Sequence, residues 1–246
     1  MTIVSALPTD PMAHRAAVEA AIAATGLVPR GWLALTPEDG LPPLPDGRPA
    51  GTLVLVGRVG RQGWSTFTTA PEYRDRLPDP LDRWSRRVIE TLAADLGAAA
   101  HFPFGGPPFR PFQRWAMRAE PVAPSPIGLL IHPDWGLWHA YRGALAFADD
   151  LGEIQPPAPV ASPCESCAAK PCLTTCPVDA FSPAGYDVGR CTTHMESPLG
   201  ALCRTDGCRA RDACPVGRGR RYADEEIRFL MRAFLTARRS AVKETR

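Results

Sequence analysis

Eight cysteines, all between Cys164 and Cys214, constrain this 246-residue chain more than any other feature. The 163 residues before them contain none. Disulfides of a secreted fold would be spread along the chain, so the crowding reads as ligands gathered for one purpose. The run Cys164-Glu-Ser-Cys167-Ala-Ala-Lys-Pro-Cys172-Leu-Thr-Thr-Cys176-Pro177 places four thiols in thirteen residues. It is a variant of the bacterial ferredoxin run in which one gap carries two extra residues. Three thiolates from one tight loop can reach three irons of a cubane, while the cysteine before proline points away and serves a second cubane. The second set is Cys191, Cys203, Cys208 and Cys214, and it ends in the same Cys-Pro-Val sequence. This predicts one 4Fe-4S cluster on Cys164, Cys167, Cys172 and Cys214, and another on Cys176, Cys191, Cys203 and Cys208, with no cysteine left over. Thiolates also suit zinc. Zinc sites usually come as paired Cys-x-x-Cys knuckles with a spacer, which is not the pattern here. Lys170, Arg190, Arg204, Arg209 and Arg211 lie in sequence where they would offset the negative charge of thiolate-bound clusters. His194 is close to Cys191, but eight thiolates already satisfy two cubanes, so a supporting hydrogen bond or a plain loop position suits it better.

The rest of the chain is ordinary globular sequence, 45% hydrophobic, enough for one large domain or two small ones. Residues 1–7 lack a leader pattern, and no stretch approaches the roughly 18 apolar residues of a membrane span, so a cytoplasmic, non-membrane protein is expected. The net charge of +2 hides an asymmetry: from Arg204 onward there are 12 basic and 6 acidic residues. A nucleic-acid surface, an acidic partner and a solvated C-terminal helix are all compatible with that block.

Asp10-Pro11 ahead of an alanine-rich run that ends at Gly26 predicts a capped helix, followed by strands at 28–35 and 52–56. Leu81, Trp84, Val88, Leu92 and Leu96 recur at helical steps and stop at Gly97. Phe102 to Phe112, with two glycines, four prolines and four phenylalanines, reads as an ordered loop. Two apolar runs, 127–131 and 137–147, flank His132-Pro133-Asp134-Trp135-Gly136 and read as a hairpin closing a first domain. Gln155 to Pro163 holds four prolines and reads as a stiff linker. After the cysteines, Ile227, Leu230, Met231, Phe234 and Leu235 share one face of a terminal helix. The expected organisation is therefore an α+β domain over 1–154, a linker over 155–163, and a ferredoxin-like iron-sulfur module with a C-terminal helix over 164–246. His14, His101, His132 and His139 are single histidines, and no nucleophile elbow, phosphate-binding glycine loop or His-Glu-x-x-His helix occurs.

From Cys164 to Pro215 the chain resembles the epoxyqueuosine reductase family: a four-cysteine run ending in Cys-Pro, then Arg190-Cys191, then Gly207-Cys208 through Cys214-Pro215. The opening helix, Gly31 before a strand, and His132 to Leu145 are similar to that family's first domain and to cobalamin-processing proteins. The resemblance implies a nitroreductase-like, corrinoid-reductase-like N-terminal domain with a cobalamin pocket, joined to a module with two 4Fe-4S clusters. Two departures stand out. Aligning Glu120-Pro121-Val122 with the family's proton-donor segment puts Arg118 where the family has an aspartate, and arginine cannot donate a proton at neutral pH. The family's glycine-rich stretch before the expected hairpin is also absent, and both departures weigh against epoxyqueuosine reduction itself.

The expectation is an iron-sulfur electron-transfer protein or reductase, passing electrons from the clusters to a corrinoid or substrate on the first domain. Its partners would be an electron donor such as a flavodoxin or a reductase, and a small-molecule or nucleic-acid substrate. A stand-alone carrier serving a partner oxidoreductase and a zinc-stabilised interaction protein are the alternatives.

Overall fold

A computed structural model describes residues 8–148, 151–158 and 161–244; the first seven residues and positions 159–160 of the expected linker lie outside the described residues. It separates into two compact units, 1–121 with 139–159, and 122–138 with 160–246.

The first unit begins with α1 (Pro11–Ala24), whose N-terminus is capped as the sequence predicts. An Asp10 carboxylate oxygen accepts from the Ala13 N–H at 2.8 Å, satisfying one of the donors a helix start leaves open. Then come β1 (Val28–Ala34), β2 (Thr52–Val59), two short helices α2 (Trp64–Thr69) and α3 (Pro71–Arg74), α4 (Pro80–Leu96), β3 (Ala99–His101) and α5 (Phe112–Ala119). After an excursion into the second unit, the chain returns as β6 (His139–Phe147). Four strands form one antiparallel sheet in the order β1-β2-β6-β3. Every residue of β2 is buried: the β-branched and apolar run 52–56 as expected, and Gly57, Arg58 and Val59 beyond it. Helix α4 packs on β6 and β3, and α1 and α5 pack on β1. On α4 the core side is Leu81, Trp84, Ile89 and Leu92, with Val88 only half-buried, and the helix stops at Gly97, whose φ of 66° is the left-handed stop.

The expected hairpin does not form. Strand β6 is real, but its partners are β2 and β3. The preceding apolar run contributes β5 (Leu130–Ile131), which pairs with β4 (Ala123–Pro124). Gly143 to Phe147 and all of β2 are buried, so each demands a central place in the sheet, and they take it side by side. In consequence residues 122–138, assigned to the first domain by sequence, group with the cysteines instead.

The second unit adds α6 (Pro163–Ser166), α7 (Pro171–Thr174), the hairpin β7 (Phe181–Ser182) and β8 (Gly185–Tyr186), then α8 (Val188–Glu196), α9 (Ala201–Thr205), α10 (Arg209–Asp212) and α11 (Asp224–Glu244). Helices α7 and α10, each leading into a Cys-Pro-Val, pack on one another. The apolar face of α11 packs as its periodicity predicts: Ile227 and Leu230 toward Trp138 and Tyr222, Phe234 and Leu235 toward Met195 and Cys203, with Met231 touching both sets. No helix among the described residues is long and apolar enough to cross a membrane.

Candidate functional site

Short helices and turns aim the eight thiols inward, and all eight are buried or half-buried and free of disulfides. Their cysteine neighbours fall into two groups. Cys164 interacts with Cys167 and Cys214, Cys172 with Cys164, Cys167 and Cys214, and Cys214 with Cys167. Cys191 interacts with Cys176, and both Cys203 and Cys208 interact with Cys176 and Cys191. The two groups interleave along the chain, because Cys214 joins the early cysteines and Cys176 the late ones. Among the described residues no three His, Cys, Asp or Glu side chains converge where a single metal ion could sit.

Hydrogen-bond donors surround the sulfurs. Ala180 N–H donates to Cys176 Sγ at 3.4 Å. The N–H groups of Arg211 and Ala210 donate to Cys208, and that of Val216 to Cys214. Ser162 Oγ accepts from the Cys164 N–H at 3.3 Å, and the side chains of Ser162 and Tyr186 lower the thiol pKa of Cys164 and Cys191. Burial pushes the thiols of Cys164, Cys172, Cys191, Cys203, Cys208 and Cys214 above the ordinary cysteine value, and these donors offset that only in part. Of the cations singled out in the sequence, Lys170 acts on Cys164, and Arg209 and Arg204 act on Cys203. Arg218, which was not singled out, acts on Cys214.

Arg211 has a different place from the one expected. Its guanidinium lies over the rings of Trp138 and Tyr222, at 4.4 and 4.8 Å, and donates to the Leu137 carbonyl at 2.6 and 3.2 Å. It ties segment 122–138 to α10. That segment also supplies Ile127, Ile131 and Leu137, which pack with Ala210, Cys214, Cys164, Cys172, Cys176 and Cys208 in one apolar cluster. The sequence carried this wall as an apolar run but not its destination. Gly136 and Gly217 let the two backbones meet: a Cβ on Gly136 would stand 2.1 Å from the Val216 oxygen, and both glycines have positive φ, 57° and 69°. His132 is buried; its Nδ1 accepts from the Asp134 N–H at 3.0 Å, closing the turn. His194 is half-buried on α8, and its backbone carbonyl accepts from Ser197.

The first unit has a polar cluster of its own. Irregular pairing falls in β1 between Pro29 and Trp32 and in the β2–β6 ladder between Val56 and Gly57, where the register steps over Arg142. In the first of these irregularities lies Arg30, 1% exposed, which donates to Glu120 through Nε and Nη2 at 2.6 and 2.8 Å and to the Arg58 carbonyl at 3.2 Å. Tyr141 donates its hydroxyl to the same carboxylate at 2.5 Å, and burial followed by the Glu120 charge raises its pKa. Arg30 Nη2 also lies 3.3 Å from His139 Nδ1. A guanidinium can only donate, so in this contact Nδ1 is the accepting nitrogen. Arg118, at the aligned aspartate position, grips Asp39 with Nη1 at 2.7 and 2.8 Å, and Trp115 Nε1 adds a third bond at 3.0 Å. It is a clamp between α5 and the turn after β1.

No known protein family and no curated protein matches the sequence. Solved structures match by fold. An epoxyqueuosine reductase crystallised with an epoxyqueuosine-modified tRNA-Tyr stem loop superposes with a TM-score of 0.52 at 15% identity, covering 87% of this chain and 68% of that one. The epoxyqueuosine reductase of Bacillus subtilis gives 0.51 at 15% identity over 87% and 68% of the two chains. The chain has an epoxyqueuosine-reductase-like fold. The B12-trafficking protein CblC of C. elegans shares it too, with a TM-score of 0.54 at 14% identity over 91% of this chain and 96% of that one. The shared fold covers 87 to 91% of this chain.

Proposed function

We propose that this protein is an iron-sulfur reductase. Its second unit is a ferredoxin-like module holding two 4Fe-4S clusters, one on Cys164, Cys167, Cys172 and Cys214 and the other on Cys176, Cys191, Cys203 and Cys208. Clusters of this kind supply one electron each. The observation that carries the reading is the interleaved grouping of the thiols, the exchange of Cys-Pro cysteines seen in two-cluster ferredoxins. Zinc is disfavoured by spacing. Zinc sites usually come as paired Cys-x-x-Cys knuckles with a spacer, a spacing these cysteines do not follow.

The chain's own groups suit such clusters. Backbone N–H donors to sulfur, together with Lys170, Arg204, Arg209 and Arg218, offset negative charge, and Ile127, Ile131 and Leu137 keep water away. The electron acceptor is a cofactor or substrate bound to the first unit, and the fold shared with a B12-trafficking protein favours a corrinoid. The tRNA-bound structural neighbour makes RNA the first macromolecular substrate to test, although Arg118 in place of the aligned aspartate argues for a reaction other than epoxyqueuosine reduction.

Oxygen-free reconstitution followed by elemental assay tests the proposal. We expect about eight irons and eight sulfides per chain and a brown protein bleached by dithionite; a colourless zinc protein would overturn it. Cobalamin added to the reconstituted protein should then change its spectrum, and no change would assign the chain a carrier role.

A further inference from the structure

We infer that the exposed face of the second unit around Leu199 and Leu202 is the docking surface for an acidic one-electron carrier protein, which delivers electrons there to the clusters. The inference deepens the two-cluster reading above and rests on it.

Local sequence makes the face. Pro198, which cannot continue α8, starts a new helical turn (Pro198–Gly200) that runs straight into α9. One side of α9 points inward, where Cys203 is buried and packs with Met195 and Leu235. Leu199 and Leu202, three positions apart and so neighbours on a helical surface, are left 85% and 54% exposed, with Ala201 also exposed between them. Single exposed leucines are ordinary, whereas an apolar patch with a polar rim marks an interaction surface.

Beside Leu202 lies a hollow of about 300 Å³. Its walls include Thr175, Leu202, Gly207 and Ala213, and these four immediately precede Cys176, Cys203, Cys208 and Cys214 in turn. No cysteine is among its lining residues, so the hollow is not itself a cluster position; it lies on the outer side of the backbone that carries the thiols. Each proposed cluster therefore has a ligand one residue away from this surface. A carrier needs that closeness, because electron transfer between proteins falls off steeply with distance.

The rim is basic. Arg209 is part of the wall, Arg204 donates to the carbonyls of Met195 and Ser197, and Arg221 holds Asp212 at 2.6 Å, so three guanidiniums outnumber Asp206 and Asp212 there. An apolar centre with a basic rim suits an acidic protein. A small molecule in the hollow would leave Leu199 bare, since Leu199 is not part of the lining. RNA would also match the charge, but its reacting group belongs at the acceptor on the first unit, whereas a carrier must reach a cluster. The step moves one electron from the reduced carrier to an oxidised cluster, and no bond or proton changes place.

The test uses the reconstituted full chain, an acidic flavodoxin as the carrier, and the variants Leu199→Glu and Leu202→Glu, both at exposed positions. Binding of oxidised flavodoxin is followed by titration, and bleaching of the clusters by reduced flavodoxin or by dithionite is followed by stopped flow. We expect each variant to weaken flavodoxin binding about tenfold by setting like charges against one another and to slow reduction by flavodoxin to match. Iron content and the dithionite rate should stay as in wild type, and wild-type binding should weaken as salt is raised. A wild type that does not bind flavodoxin, variants that bind it as well as wild type, an equal loss of the dithionite rate, or a stem-loop RNA that loses binding in the variants while flavodoxin keeps it would each overturn the inference. Failure of the two-cluster reading would be seen separately, as wild-type protein without iron.

Discussion

Arg30 and Glu120 are joined by two parallel hydrogen bonds, Nε to Oε1 and Nη2 to Oε2, with 1% and 11% of their side chains exposed. Gly31 makes this possible, since a Cβ there would stand 2.3 Å from the Ala119 oxygen and push away the end of α5 that carries Glu120. A buried pair broken on one side leaves an uncompensated charge, costing about 3–5 kcal/mol. We therefore expect Arg30→Met to lower the urea midpoint by a corresponding amount. Adding Glu120→Leu should recover part of that loss, and a double variant less stable than Arg30→Met would contradict the argument.

Arg118→Asp would set a second carboxylate against Asp39. Burial pushes the Asp39 carboxyl up, but hydrogen bonds from Arg118, Thr36 and Trp115 outweigh it and hold the group below its ordinary value, so Asp39 stays charged near neutrality. With Arg118 partly solvent-exposed, the loss should be about 2 kcal/mol, read by thermal or urea unfolding. The same substitution restores the acid expected from the family alignment, yet we expect no epoxyqueuosine turnover; clear turnover would show that a single proton donor was all that was missing.

His101, on β3, should make the first unit acid-sensitive. Burial, reinforced by the Arg110 charge, lowers its pKa from 6.5 to about 4. The unfolded chain then binds a proton that the folded chain refuses between those values, so the contribution to stability is whole above pH 6.5 and shrinks as pH falls toward about 4. His101→Gln should flatten the stability profile in that window. An unchanged slope would remove His101 from the account.

Gly136→Ala should loosen the second unit. The substitution meets the Val216 oxygen and must hold a φ of 57°, a conformation costing a non-glycine residue about 1–3 kcal/mol. We expect faster iron loss to a chelator, because the turn presses on the chain just past Cys214. Iron retention equal to wild type would show that the turn and the thiols are uncoupled.

Cys214→Ser tests the interleaving itself. It should cost the cluster shared with Cys164, Cys167 and Cys172, leaving about four irons per chain and a single reduction wave. If Cys208→Ser abolished the same wave, the grouping would be wrong.

Much of the fold was legible in the sequence where periodicity and burial speak for single elements. Helices α1, α4 and α11 and strand β2 follow from caps and apolar spacing. Strand partners were not legible, because an apolar run says that a strand is buried and not which strand lies beside it. So 137–147 was paired with its nearest apolar neighbour in sequence, whereas β6 lies between β2 and β3. The cysteines point to a ligand set through spacing alone. Their apolar wall and the Arg211 stack depend on a segment that is distant in sequence, for which no local pattern exists. Bulges at Arg30 and Arg142 hid the polar cluster of the first unit in the same way, since a one-residue slip leaves little trace in composition.

The backbone passes between the two units near residues 121, 138 and 159, so the thiol-bearing part is not a cassette that can be cut free at one point. A fragment beginning at the proline-rich stretch would keep every thiol yet leave behind Ile127, Ile131, Leu137 and the Gly136 turn. Transplanting or truncating this part of the molecule therefore requires carrying a strip of chain that reads, in linear order, as someone else's property.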